Sequence, residues 1–223
     1  MKLLAVYLGL ALITVTAEDK IEERLSNAGK VLSEIMDTPD KGIPKDLLDK
    51  AECVAVIPSM KKAGFVVGGR YGKGAVACRR GKRDWGAPVM ITLSGGSFGL
   101  QIGGSAVDVV MLIMNEDGID YLLKDKFTLG GDASVAGGPV GRSSSAETDA
   151  AMTAKILTYS RSKGLFAGLE LKGAVVAPDK DANAILYGRK IEAKEILKNS
   201  SQTVPAAARP FVDALKKYSP IGQ

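Results

Sequence analysis

In residues 18–37 the apolar positions Ile21, Leu25, Ala28, Leu32 and Ile35 recur at steps of three and four, which gathers them on one face of an amphipathic helix. Pro39 ends that pattern, and Pro44, a good first helical residue, predicts a second short helix through Leu47 and Leu48 to Lys50. Beyond Lys50 the period changes. Residues 53–57, 64–68, 74–78 and 89–93 are short apolar runs bounded by Gly, Pro, Lys and Arg, the pattern of consecutive strands. Residues 99–104 and 107–114 read as two more strands, rich in glycine and β-branched side chains and joined at a tight bend. Residues 116–123 predict a helix of one or two turns, whereas 127–136, 152–159 and 165–176 resume strand character; 143–151 suits either state. Residues 191–197 and 205–218 are helical by pattern, the latter with Phe211, Val212 and Leu215 on one side.

Strands in succession, helices at both ends and short connections argue for an α+β fold: an antiparallel sheet curled toward a barrel, with N- and C-terminal helices packed on it. Glycine, 26 residues in all, falls repeatedly inside the strands, where it marks sharp bends or close backbone approach. The 223 residues, 46% hydrophobic and 25% charged, suit a single domain over residues 18–223. Ahead of it, Met1-Lys2, the apolar run 3–13 and the small residues Val15-Thr16-Ala17 have the order of a secretory signal peptide cleaved after Ala17, in residues 1–17. An uncleaved anchor or a buried helix is the alternative. The expectation is a periplasmic or secreted chain without a lipidated cysteine at its mature end.

Residues 95–99, Gly-Gly-Ser-Phe-Gly, satisfy G-x-S-x-G, the form of a serine nucleophile elbow. The chain has no histidine, so the ordinary triad has no base, and no helix follows Ser97 as an elbow requires. Residues 72–77 satisfy the loose G-x-G-x-x-A dinucleotide form but lie between strands with no crossover helix. Tyr159 and Lys163 have Y-x-x-x-K spacing without any dinucleotide fingerprint before them. No catalytic residue, cofactor or metal site is expected, since two cysteines without histidine cannot supply the usual ligand spacings.

In an oxidising compartment Cys53 and Cys78 are candidates for a disulfide across neighbouring strands, worth about 3 kcal/mol; two buried thiols are the alternative. The formal net charge is +5, and basic residues crowd one region: Lys61, Lys62, Arg70, Lys73, Arg79, Arg80, Lys82 and Arg83. Placed on turns and one sheet edge they would form a face for anionic phospholipid, each worth about 1 kcal/mol near a charged surface. The alternative is an ordinary solvated face. Nucleic acid is disfavoured, because aromatic residues are only 5% and few lie among the cations.

Several strings together resemble the SYLF domain family: Ile57-Pro58, Lys62-Ala63-Gly64-Phe65, residues 69–74 (GRYGKG), 85–88 (WGAP), 95–99 (GGSFG), 101–103 (QIG), Asp108, Leu129-Gly130, 138–142 (GPVGR), 159–168 (YSRSKGLFAG), Asn183 and Tyr187-Gly188. The resemblance covers roughly residues 18–188, and both enzyme-like decoys fall inside its strings. It implies a non-enzymatic module that binds phospholipid, with phosphoinositides as the ligand of eukaryotic relatives and filament binding for the yeast actin regulators. It therefore makes Ser97 structural. The helix that begins Glu18-Asp19-Lys20-Ile21-Glu22-Glu23 departs from the basic amphipathic segment of those relatives, since its acids would repel an anionic bilayer. Together with the leader, this makes secreted bacterial members the better comparison. The expected function is binding of anionic phospholipid in the envelope or secreted space; the alternative is a protein-interaction or scaffold module, including actin-filament binding.

Overall fold

The computed structural model describes residues 16–38, 42–81, 84–140, 153–162, 165–169, 171–198 and 201–220. The leader up to residue 15, segment 143–151, Lys82, Arg83 and Lys163 lie outside them. Helix α1 (Ala17–Met36) opens on a capping box in which Thr16 and Asp19 each accept the other's backbone N–H. A short α2 (Lys45–Lys50) leads into the sheet.

The four runs read as separate consecutive strands do not form that way. Residues 53–80 are one strand, β1 (Cys53–Arg80), and residues 89–113 another, β3 (Val89–Ile113), joined through the two-residue β2 (Asp84–Trp85). The two long strands pair antiparallel from Cys53↔Ile113 to Val76↔Val89. Register shifts between Ile57 and Met60 and between Gly64 and Val66 absorb the irregular residues, because a bulge accommodates an unpaired residue while the ladder resumes beyond it. Glycine therefore bends one strand where the sequence suggested several.

The bend returns β1 onto itself. A Cβ at Gly74 would stand 2.0 Å from the Val56 carbonyl oxygen, and one at Gly72 2.4 Å from Ile57 Cγ2. No side chain larger than hydrogen fits at those crossings. Residues 53–63 and 68–80 are thus two arms of a single strand. Cys53 and Cys78, near its two ends, form a disulfide with Cα atoms 3.9 Å apart; they belong to one folded strand, not to neighbouring ones. The Arg79 N–H donates to the Glu52 carbonyl at 2.8 Å beside it.

Around this ribbon β3 pairs with β6 (Ile156–Ser162) and β8 (Val175–Pro178), β4 (Phe127–Thr128) pairs with β8, and β7 (Leu165–Gly168) with β6. The result is a strongly curled half-barrel. One pairing departs from antiparallel: β5 (Val135–Gly137) runs parallel to β6. The strand read over 127–136 is broken by a turn containing Gly130 at φ +78°. After α3 (Glu116–Leu122), the chain forms α4 (Lys180–Tyr187), which the periodicity did not reveal, α5 (Ala193–Lys198) and α6 (Arg209–Tyr218).

Both faces of the ribbon base are buried. Val54, Val56, Ala75 and Ala77 face a core shared with Leu25, Leu32 and Ile35 of α1 and Phe211 and Leu215 of α6. Cys53, Ala55, Ile57, Val76 and Cys78 face the opposite core with Ile91, Phe127, Val176 and Ile196. The two-residue alternation of a strand divides these sets, which explains why the runs read as continuously apolar. Helix α1 lies against α6 closely enough that a Cβ on Gly29 would be 2.4 Å from the Pro210 carbonyl oxygen.

Candidate functional site

Helix α1 turns its apolar stripe to the core and a polar row outward. Lys20, Glu23, Arg24 and Asn27 follow the three- and four-residue steps of one helix face, and they face Pro58, Ser59 and Lys61 of one ribbon arm and Tyr71, Gly72 and Lys73 of the other. These residues line a groove of about 510 Å³. Its cations are Lys20, Arg24, Lys61 and Lys73, and its lining holds a single acid, Glu23. Tyr71, half exposed, contributes an aromatic ring.

Behind the groove stands Asp179, the N-cap of α4, whose Oδ1 accepts the Ala182 N–H at 3.3 Å. Its Oδ2 accepts from Arg24 NH1 at 3.1 Å and from Lys73 Nζ at 2.9 Å. Burial alone would raise the Asp179 pKa, but Lys73, the Ala182 N–H and Arg24 outweigh it and hold the carboxyl below the ordinary aspartate value.

The groove's floor is fixed from a second side. Ser59, at the first register shift, has φ +49°, a left-handed conformation uncommon outside glycine. Its N–H donates to Asp108 Oδ1 at 2.9 Å, while Asp108 Oδ2 accepts from Arg161 Nε at 2.9 Å and NH2 at 2.7 Å. Arg161 NH1 in turn pairs with Glu34 of α1. Arg161 thereby joins α1, β3 and β6, and fork-shaped donation to a carboxylate is the geometry a guanidinium supplies.

A model of the Ysc84 family, described as a Las17-binding protein actin regulator, matches residues 94–218. The chain belongs to the Ysc84 (SYLF) family. It is 34% identical over 203 residues, 87% of this chain, to an SH3 domain-containing protein of Schizosaccharomyces pombe. With the LAS seventeen-binding protein 3 of Saccharomyces cerevisiae it shares 36% over 170 residues, 75% of the chain. With the human SH3 domain-containing YSC84-like protein 1 it shares 33% over 205 residues, 89% of the chain. The chain spans 47%, 37% and 59% of those relatives' own lengths. Within the Ysc84-family match lie Asp108, Arg161 and Asp179, whereas α1 and β1 precede it.

In this Ysc84-family chain six of the eight basic residues singled out from the sequence lie among the described residues, and these six take up distinct places. Lys61 and Lys73 line the groove. Lys62 and Arg70 flank the bend of β1: burial, and for Lys62 the neighbouring Arg70 charge, lower both pKa values, and Arg70 Nε donates to the Gly96 carbonyl at 2.8 Å. Arg79 serves the frame. Its Nε donates to the Ala51 carbonyl at 3.0 Å, NH2 donates to Ser219 Oγ, and the guanidinium lies 4.3 Å from the Trp85 ring centroid. Arg80 follows it at the same strand end. The folded strand carries these described cations to different neighbours, Lys61 and Lys73 to the groove, Arg70 to Gly96 and Arg79 to Ala51. Lys20, Arg24 and Asp179 are functional candidates that sequence reasoning passed over; the i, i+4 spacing of Lys20 and Arg24 was the available signal.

The enzyme-like strings also acquire places. Ser97 pairs with Gly68 inside β3 and not at a strand-to-helix turn. Residues 72–77 continue β1 with no helix after them. Tyr159 is buried, and burial raises its phenol pKa. Among the described residues no group of three or more His, Cys, Asp or Glu is arranged to hold a metal, and no helix is long and apolar enough to cross a membrane.

Proposed function

We propose that this chain is a non-enzymatic interaction module that binds an acidic surface of a protein partner in the groove between α1 and the two arms of β1. The observation that carries this reading is the groove's charge, four cations against the Glu23 carboxylate of the lining and the Asp179 carboxylate behind it, around a half-exposed tyrosine. A lining of one sign attracts and orients a partner of the other. The relatives' names, LAS seventeen-binding protein and actin regulator, support a protein as the partner. Actin filaments are accordingly the first probe. Co-sedimentation of the full chain with filaments is expected to fall at least about fivefold when Lys61 and Lys73 are both changed to Glu. Pelleting that ignores this double reversal would overturn the groove as the contact, and no pelleting of the wild type would remove actin as its partner. The apolar run 3–13 supports export, and an exported chain would meet an acidic protein other than cytosolic actin.

A second reading is contact with anionic phospholipid at the bend of the ribbon. It is favoured by Lys61, Lys62 and Arg70, whose sequence positions bracket the apolar stretch Phe65-Val66-Val67. A stretch of sequence that combines cations and apolar residues suits a headgroup interface. Flotation with liposomes of graded anionic content is expected to show binding that weakens with salt and with Lys62→Glu plus Arg70→Glu; flotation indifferent to all three would overturn it.

A further inference from the structure

We infer that Asp179 is an internal stand-in for a carboxylate of the bound partner, so that the groove recognises an acidic peptide segment by exchanging one carboxylate for another. This rests on the reading of the groove proposed above and adds its ligand chemistry and its regulation. Arg24 and Lys73 converge on the same oxygen, Asp179 Oδ2, at 3.1 Å and 2.9 Å, whereas Oδ1 serves the Ala182 N–H. The two oxygens thus have separate duties. One caps α4, and the other occupies two of the groove's four cations. The cations can therefore be given up without uncapping the helix.

Lys73 is the more exposed half of this arrangement. Its side chain is 42% exposed, against 16% for Arg24 and 9% for Asp179, and an ammonium on a four-carbon stem can redirect without rebuilding its surroundings. Lys20 and Lys61, both exposed, stand along the same groove. An incoming Glu or Asp side chain would meet Lys73 and Arg24 already aimed at one carboxylate oxygen, with Tyr71 and Pro58 available to its aliphatic stem. In the empty groove Asp179 lowers the effective positive charge and sets a threshold: a segment with several acids displaces it, whereas an isolated anion competes poorly. The groove is self-inhibited by its own aspartate.

The test uses the full chain and a fluorescent oligo-glutamate peptide, read by anisotropy. Asn and Ser both cap helices well, so Asp179→Asn and Asp179→Ser remove the competing charge and keep the cap, which circular dichroism checks. Both are expected to bind the peptide about fivefold more tightly than wild type, a change near 1 kcal/mol. Adding Lys73→Gln to Asp179→Asn is expected to abolish the gain. Unchanged or weaker binding by both folded variants, with Lys73→Gln alone still weakening wild type, would overturn the stand-in while leaving the groove as an acidic-partner site. No binding by wild type or variants would overturn the groove reading itself. If Asp179→Asn instead strengthens binding to vesicles containing anionic phospholipid and leaves the peptide unaffected, the carboxylate exchange is also overturned.

Discussion

Gly74 crosses Val56 of its own strand so closely that a Cβ would lie 2.0 Å from the Val56 carbonyl oxygen and 2.8 Å from the Ile57 Cα. Both obstacles are backbone, in the buried base of the ribbon, and neither can rotate aside. Gly74→Ala is expected to cost about 3 kcal/mol, the upper end of what forced overpacking of a core typically costs, because both obstacles are backbone. Gly69→Ala, with nothing within 4 Å of the new Cβ, is expected to cost under about 1 kcal/mol. Urea denaturation of the two variants checks the contrast, and equal midpoints would refute the crossing.

Reduction of the Cys53–Cys78 bond should loosen the same closure. The bond spans a sequence separation of 25 residues, for which loop-closure entropy gives roughly 3–4 kcal/mol. The adjacent hydrogen bond from the Arg79 N–H to Glu52 and the packing around it remain. The reduced protein is expected to unfold at lower denaturant yet keep a cooperative transition, measured with and without a thiol reductant.

Tyr159 gives an expectation of the opposite sign. Its ring is 2% exposed, and among the described residues its hydroxyl has no hydrogen-bond partner. Leaving a buried hydroxyl unpaired costs free energy. Tyr159→Phe should therefore be neutral or stabilise by up to about 1 kcal/mol, as thermal unfolding would show; a loss of that size would mean the hydroxyl is satisfied.

The Asp179 carboxyl titrates below its ordinary value in the folded protein. A depressed folded pKa means that the unfolded chain takes up the proton first as pH falls. The stabilisation is fully present above the unfolded value near pH 4 and disappears as pH drops through the lower folded value. Asp179→Asn is expected to flatten that part of the acid limb, read as urea midpoints from neutral pH to about pH 2. An unchanged slope there would show that the pairing with Lys73 and Arg24 contributes nothing.

The helices at either end were legible because their apolar residues keep a 3.6-residue period, as Ile21, Leu25, Leu32 and Ile35 do. The curled α+β sheet was legible from short apolar runs bounded by Gly, Pro, Lys and Arg and from the glycines within them. The continuity of β1 was not, since Gly64, Gly68 and Gly74 look like strand ends when the partner arm is unseen. Helix α4 was hidden for a different reason: its eight residues follow directly on β8, although Asp179 before it and Gly188 at φ +66° after it carry start and stop signals. The groove and its backing are assembled from four stretches, α1, the two arms of β1 and the cap of α4. Local spacing could show Lys20 beside Arg24, but only the fold brings Asp179 to them.

Asn183 of α4 has a consequence of its own. Its Oδ1 accepts the Met90 N–H at 2.8 Å and its Nδ2 donates to the Met90 carbonyl at 3.1 Å, directly beyond the Ile91↔Pro178 pair where β8 stops. One amide side chain thus reproduces the hydrogen bonding of a missing strand residue. An unpaired backbone N–H and carbonyl at that buried point would cost free energy. Asn183, with the Asp179 N–H that also donates to the Met90 carbonyl at 2.8 Å, satisfies this buried end of the ladder from within the chain.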